Sequence, residues 1–257
     1  MTLRAAAAQL AIGKGNYHKA ISDARLAVET AAHHEARIVC LPEHWLLEYS
    51  DKVGEATREL SQAAKENKIV VVTGANYTTL ENGQVRVRSQ LIDHNGNVRG
   101  IQDKVHLFLD EKKSATPGNA FESFETDFAR IGITICCDNT FPESSRTLAL
   151  KNADLLCAPS RIGTQGMKPW LLYLKTRTLE NRLPIIATNV THPPTYVGGS
   201  VIIDLEVDTA TNIVYPKIIA SAKEEEQVIF AEIQLEHARE LRKHKLAERS
   251  PHAYDLS

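Results

Sequence analysis

Three polar residues stand in matching places, each just past an apolar stretch: Glu43 after RIVCLP, Lys104 after the return arm of a hairpin, and Cys136 after ARIGITI. A thiol with an ordinary pKa of about 8.5 is only a few per cent thiolate at neutral pH, so it needs activation before it can attack a carbonyl. A carboxylate at Glu43 supplies a base for that proton. An ammonium at Lys104 supplies the cation that holds developing negative charge. The chain past Cys136, CDNTFPE, carries Asn139 and Thr140 as capping residues and Pro142 at the first turn of a helix through PESSRTLAL. Backbone N–H groups at that turn then point toward the same region as the thiol. Taken singly, each residue has a plain structural role open to it: Glu43 as the cap of a helix at HWLLEY, Lys104 as an exposed strand terminus, Cys136 and Cys137 as small buried apolar groups. Taken together, with their flanking residues, they favour nucleophilic catalysis.

The elements that must bring them together are legible as alternating strands and helices. Residues 3–12 read as a strand, and residues 16–35 place Ile21, Ala24, Val28 and Ala31 at helical spacing. RIVCL is a short buried strand, so the first fifty residues make a β-α-β unit with parallel strands. A second helix, about residues 55–66, leads to the strand IVVVTGA. An Asn95-Gly96 turn then joins two strands of a hairpin, and residues 106–118 form a loop long enough to suggest function. After the Cys136 strand and its helix come the strand ADLLCAP, the helix PWLLYLKTRTLEN, and the strands PIIATNV, VGGSVIID and EQVIFAEI. Helix and strand alternate in both halves with a hairpin in each, which predicts an α/β fold: an internally duplicated sandwich of sheets with helices outside. Residues 234–249 read as a charged helix whose interleaved Glu236, Glu240 and Glu248 suit a solvated or subunit-packing face better than a nucleic-acid patch.

Composition narrows the function classes. The chain has 257 residues, room for one domain with a substantial core, and 30 basic against 32 acidic side chains leave a net charge of −2. That balance gives no reason to expect a nucleic-acid or anionic-membrane partner. Four cysteines without a CxxC spacing suit neither a disulfide framework nor structural zinc. No apolar run approaches a membrane span. The expectation is a soluble cytoplasmic protein acting on small molecules.

The ordered segments LPEHW at Glu43, DKVHLF at Lys104, DEKKSATPG at Glu111 and ICCDNTFPE at Cys136 resemble the nitrilase superfamily, the carbon–nitrogen hydrolases. Gln9, Asn16, TRTLENR (Arg177, Glu180, Asn181) and GGS (Gly198 to Ser200) extend the likeness over nearly the whole chain. The resemblance implies a four-layer α-β-β-α sandwich, a single domain over residues 1–257, a homodimer, no metal and no cofactor. The C-terminal tail, about residues 242–257, ends in a stretch of little periodicity, SPHAYDLS, and is expected to pack on a partner subunit. The resemblance also implies a Glu43-Lys104-Cys136 triad, with the backbone N–H of Cys137 as an oxyanion donor and Glu111 as the glutamate that positions Lys104 and the substrate. His106 is implied to be structural.

Several positions depart from the commonest pattern. An aromatic often stands where this chain has Cys137 or Ala115, an asparagine where it has Arg88, and a Trp near Arg161 and Ile162. Ala115 and Arg161 are therefore expected to change pocket size and charge, with Asn139 beside them in the substrate site. Asp138, two residues past Cys136, resembles the amidase and carbamoylase branches, so the expected reaction is hydrolysis of a small amide through a cysteine thioester. Arg161 suits a substrate carboxylate, as in an ω-amide of a dicarboxylic acid. N-carbamoyl hydrolysis and nitrile hydrolysis are the alternatives within the family. A redox protein using Cys136-Cys137, or a silent scaffold, are the alternatives outside it.

Overall fold

A computed structural model describes residues 2–12, 16–47 and 50–254. The chain starts in one sheet, with β1 (Thr2–Gln9), β2 (Ile38–Cys40), β3 (Val70–Val72), β4 (Asn76–Thr79), β5 (Val85–Ile92) and β6 (Val98–Asp103). It crosses to a second sheet with β7 (Ser123–Glu125), β8 (Arg130–Ile133), β9 (Leu155–Pro159) and β10 (Ile185–Thr188). After a small ribbon of β11 (Thr191–His192) and β12 (Tyr196–Val197), β13 (Val201–Val207) and β14 (Val214–Ser221) complete that sheet. β15 (Gln227–Gln234) returns to the first and pairs antiparallel with β1. In each sheet the central strands are parallel and joined through helices: β1 with β2 and β3, and β8 with β9 and β10.

Side-chain alternation explains the layering. Along β1, Leu3, Ala5 and Ala7 face the second sheet and pack with Ile131, Ile133, Leu155 and Cys157. The intervening Ala6 and Ala8 face outward, beneath the helices α1 (Tyr17–His33) and α2 (Val53–Asn67). Leu156, Ala158, Ile185 and Ala187 face out of the second sheet toward α4 (Pro142–Leu150) and α5 (Met167–Asn181). Because both faces of both sheets are covered, the central strands are almost uniformly apolar. The order is helix, sheet, sheet, helix, the four-layer sandwich that the sequence implied.

Most expected elements are present with shifted ends. Asn16 caps α1, accepting the Lys19 N–H at 3.0 Å, and the Asn-Gly turn joins β5 to β6. Strands β4, β7 and β14 and the small β11–β12 ribbon were not expected. β14 carries Pro216 and lies at the edge of its sheet, where a proline is tolerated because one side of the strand has no ladder partner. The long loop after Lys104 holds a single helical turn, α3 (Glu111–Ser114). The charged C-terminal helix, α6 (Leu235–Ala247), docks on its own chain: Arg239 and Arg242 donate to Asp154 at 2.8–2.9 Å. Arg242, at the start of the tail expected to pack on a partner subunit, is 7% exposed. Residues 48 and 49 of HWLLEY and residues 255–257 of the tail lie outside the described residues.

Candidate active site

The catalytic candidates sit at one rim of the sandwich and come from both sheets. Glu43 follows β2 and Lys104 follows β6, in the first sheet, while Cys136 follows β8 in the second. The Glu43 N–H donates to the Ser160 carbonyl at 3.3 Å, tying the β2 end to the β9 end across the layer. Close packing at this corner demands a glycine: a Cβ on Gly74, at φ +73°, would lie 2.0 Å from the Pro42 carbonyl oxygen. Trp45 closes the same corner, its indole N–H donating to the Thr73 carbonyl at 3.0 Å.

Cys136 opens a 3-10 turn, Cys136–Thr140, in the left-handed region at φ +47°, a conformation that costs a non-glycine residue roughly 1–2 kcal/mol. Hydrogen bonds within the turn and from other parts of the chain hold it there. Asp138 accepts the Ile135 N–H at 3.0 Å and the His106 N–H and ring Nδ1 at 2.9 Å each. Asn139 accepts the Thr134 hydroxyl at 2.9 Å and donates to the Cys136 carbonyl at 3.2 Å. From α5, Arg177 donates to the Asn139 and Thr140 carbonyls at 2.9 and 3.0 Å. The expected helix caps are thus used otherwise: Asn139 and Thr140 bond back into the turn, and Phe141 precedes α4 with no side-chain cap. The N–H of Cys137, at the start of the turn, has no acceptor within it.

At the centre, Lys104 Nζ lies 2.7 Å from Glu43 Oε1 and 2.8–2.9 Å from both oxygens of Glu111. Glu111 Oε2 also accepts the Phe108 N–H at 2.7 Å, and Oε1 lies 3.0 Å from His44 Nε2. Glu43, Lys104 and Glu111 are buried, and Cys136 is 8% exposed. Burial alone would discharge Lys104, but the charges of Glu43, Cys136 and Glu111 outweigh it and hold the ammonium well above its ordinary pKa. Burial pushes the Glu111 carboxyl up, yet the hydrogen bonds from His44 and Lys104 dominate and bring it down to about 2. Cys136 moves the other way. Desolvation, then the Glu43 carboxylate, raise its thiol well above the ordinary value, against the opposing charge of Lys104 and the Arg161 N–H. The resting site therefore holds a protonated thiol beside a fixed ammonium. Glu43, His44 and Glu111 have the spacing of metal ligands, but Lys104 Nζ already places a cation between the two carboxylates.

Cys136 opens onto a cavity of about 640 Å³ whose walls include Arg161, Ile162, Trp170, Tyr173 and Thr195. The Arg161 side chain lies over the Tyr196 ring, 5.7 Å from its centroid, and among the described residues no acidic side chain pairs with it. Ala115 does not line this cavity. It borders a neighbouring hollow that shares Phe108 and Cys137 with it. Arg88 is engaged by Asp103 in a two-pronged pair at 2.7 and 3.0 Å. His106 stacks on Phe141 with centroids 3.7 Å apart and shapes the turn through Asp138. The sequence reading missed His44 and gave Arg177 no role. The one signal for His44 was its adjacency to Glu43.

The sequence matches the carbon-nitrogen hydrolase family over residues 4–243. The chain belongs to that family. Among proteins it is similar to, omega-amidase NIT2 of Xenopus tropicalis is 29% identical over 238 residues, covering 84% of this chain and 83% of that protein. Omega-amidase NIT2 of Homo sapiens is 27% identical over 234 residues, covering 84% and 83%. In fold it resembles a carbon-nitrogen hydrolase from Helicobacter pylori G27, with a TM-score of 0.87, 24% identity, and 99% and 98% of the two chains covered.

Proposed function

We propose that this protein is a small-molecule amidase that releases ammonia and a carboxylic acid through a thioester on Cys136, and that its substrates are ω-amides bearing a carboxylate. The observation that carries the reading is the meeting of Glu43, Lys104 and Cys136, with Cys136 opening onto a cavity whose walls include Arg161, a side chain with no acidic partner among the described residues. Glu43 takes the thiol proton as Sγ bonds to the amide carbon. The carbonyl π pair moves to oxygen, where Lys104 and the Cys137 N–H stabilise it. When the C–N bond breaks, Glu43 returns the proton to the departing nitrogen. Water, deprotonated by Glu43, then attacks the thioester, and the C–S bond breaks to restore the thiol. Arg161 receives the distal carboxylate in this scheme, and the names of the omega-amidase relatives support the same substrate class.

The whole of residues 1–257 is taken as one hydrolase domain, supported by the extent of the family match. Homodimerisation is proposed from the exposed Phe108, Leu109, Phe141 and Leu172, with the last residues of the tail against the partner. Four free cysteines suit a reducing cytoplasm.

The test is an ammonia-release screen over small amides, N-carbamoyl compounds and nitriles, run beside Cys136→Ala. The expected result is turnover of ω-amides by the wild type, none by the variant, and an acyl adduct on Cys136 by intact mass. Ammonia release that survives Cys136→Ala would end the proposal.

A further inference from the structure

Glu111 has a demanding task for a residue in so slight an element. It opens a four-residue helical turn, too short to hold an orientation through its own hydrogen bonds, yet its carboxylate is buried against Lys104. Three donors hold it: the Phe108 N–H at 2.7 Å, Lys104 at 2.8–2.9 Å and His44 Nε2 at 3.0 Å. Phe108 belongs to the same loop and moves with it. Lys104 is shared with Glu43 at 2.7 Å. His44 is the remaining tie, and it comes from the hydrogen-bonded end of β2.

His44 is itself tightly fixed. Its N–H donates to the Ala75 carbonyl at 2.6 Å, and its backbone is left-handed at φ +55°. Its ring stacks on Tyr77, with centroids 4.6 Å apart and 27° between the planes, and its side chain is 1% exposed. The other ring nitrogen, Nδ1, is buried with no hydrogen-bond partner among the described residues. That is tolerable in one tautomer: with the proton on Nε2, aimed at Glu111, Nδ1 leaves only a lone pair unmet. The stacking fixes the ring, and the unmet Nδ1 is a cost that the bond from Nε2 to Glu111 offsets.

We infer that His44 is a positioning residue for this reaction, whose Nε2–H fixes the Glu111 carboxylate in the orientation that holds Lys104 beneath the oxyanion. The inference rests on the proposed roles of Glu43, Lys104 and Cys136. It has an electrostatic side as well. The groups facing Glu111 are His44 and Glu43 from the β2 end, Lys104 from the β6 end, and Cys137 from the turn after β8, while Asp110, Lys112 and Lys113 of its own segment are exposed. Two carboxylates share one ammonium there, so a further neutral donor stabilises the second negative charge. Without His44 the Glu111 carboxyl takes up a proton more readily, and activity is lost at a higher pH on the acid side.

The test compares His44→Phe, which keeps a ring against Tyr77 but cannot donate, with His44→Gln, whose amide can. With the preferred amide from the screen, His44→Phe is expected to lower kcat about 10–100-fold, with KM changed less than about threefold and the acid limb of the pH profile moved upward. His44→Gln is expected to restore kcat to within about threefold of wild type, and added to Glu111→Gln, His44→Phe should cost little more. Should His44→Phe not fold, His44→Met serves as the variant without a donor. Unchanged kcat in that variant overturns the inference, and so does an equal loss in the Glu111→Gln background. A Cys136→Ala control separates the two readings: if it remains active, the catalytic assignment itself has failed.

Discussion

At the scale of single residues, the site depends on opposed charges held out of water. Glu43 both receives the thiol proton and, through its own charge, discourages the thiol from ionising beforehand. Glu43→Gln should therefore separate two properties that usually move together. Removing the carboxylate lowers the Cys136 pKa, so alkylation by iodoacetamide at neutral pH should speed up, while amide turnover should fall by at least roughly 10²-fold for want of a base. Slower alkylation in Glu43→Gln would show that the carboxylate does not oppose the thiolate. Arg161 offers the complementary test. Arg161→Ala should raise KM for ω-amides carrying a carboxylate by roughly tenfold or more and leave neutral amides little changed. Equal effects on both would remove carboxylate recognition from its role.

At the scale of elements, short turns are held by side chains from elsewhere in the chain. Gln9, at the end of β1, accepts from the Ser200 N–H and hydroxyl at 3.0 Å each and donates to the Lys223 and Glu225 carbonyls at 2.6 and 2.7 Å. Gly198 allows that crossing, since a Cβ there would lie 2.2 Å from the Gln9 amide nitrogen, and φ is +67°. Helix α6 depends on one acid in the same way. Burial pushes the Asp154 carboxyl up, but hydrogen bonds from Arg239 and the Arg130 N–H, with the Arg239 and Arg242 charges, prevail and hold it below its ordinary value. Asp154→Ala strands Arg242 and should cost about 2–4 kcal/mol in denaturant unfolding. The sign of the pH effect follows. A depressed carboxyl pKa contributes fully above the ordinary value of 3.8 and is lost as pH falls through the lower folded one. The wild-type advantage over Asp154→Ala should therefore shrink in strong acid, and an advantage independent of pH would rule out this linkage.

At the scale of the whole molecule, the site straddles two sheets, so inter-sheet packing is part of the catalytic geometry. Ile133→Ala removes a fully buried side chain from that layer and should cost roughly 2–4 kcal/mol. It should also lower kcat at temperatures where the variant is still folded, because Cys136 lies three residues on and must meet Lys104 from the other sheet. Full activity up to the unfolding transition would show that the sheets tolerate the void. Sequence determined the alternation of strands and helices, since periods of 2 and 3.6 are local properties of a chain. It also pointed to Glu43, Lys104 and Cys136, because each carries an unusual side chain just past an apolar stretch, and the family resemblance added Glu111. Only the tertiary structure decided what surrounds them. It turned Asn139 back into the turn of the nucleophile and placed Ala115 in a separate hollow. It also bound α6 to Asp154 and set His44 against Glu111, 67 residues away. Such contacts depend on how two sheets settle against each other, and that arrangement is a property of the packed core as a whole rather than of any local stretch.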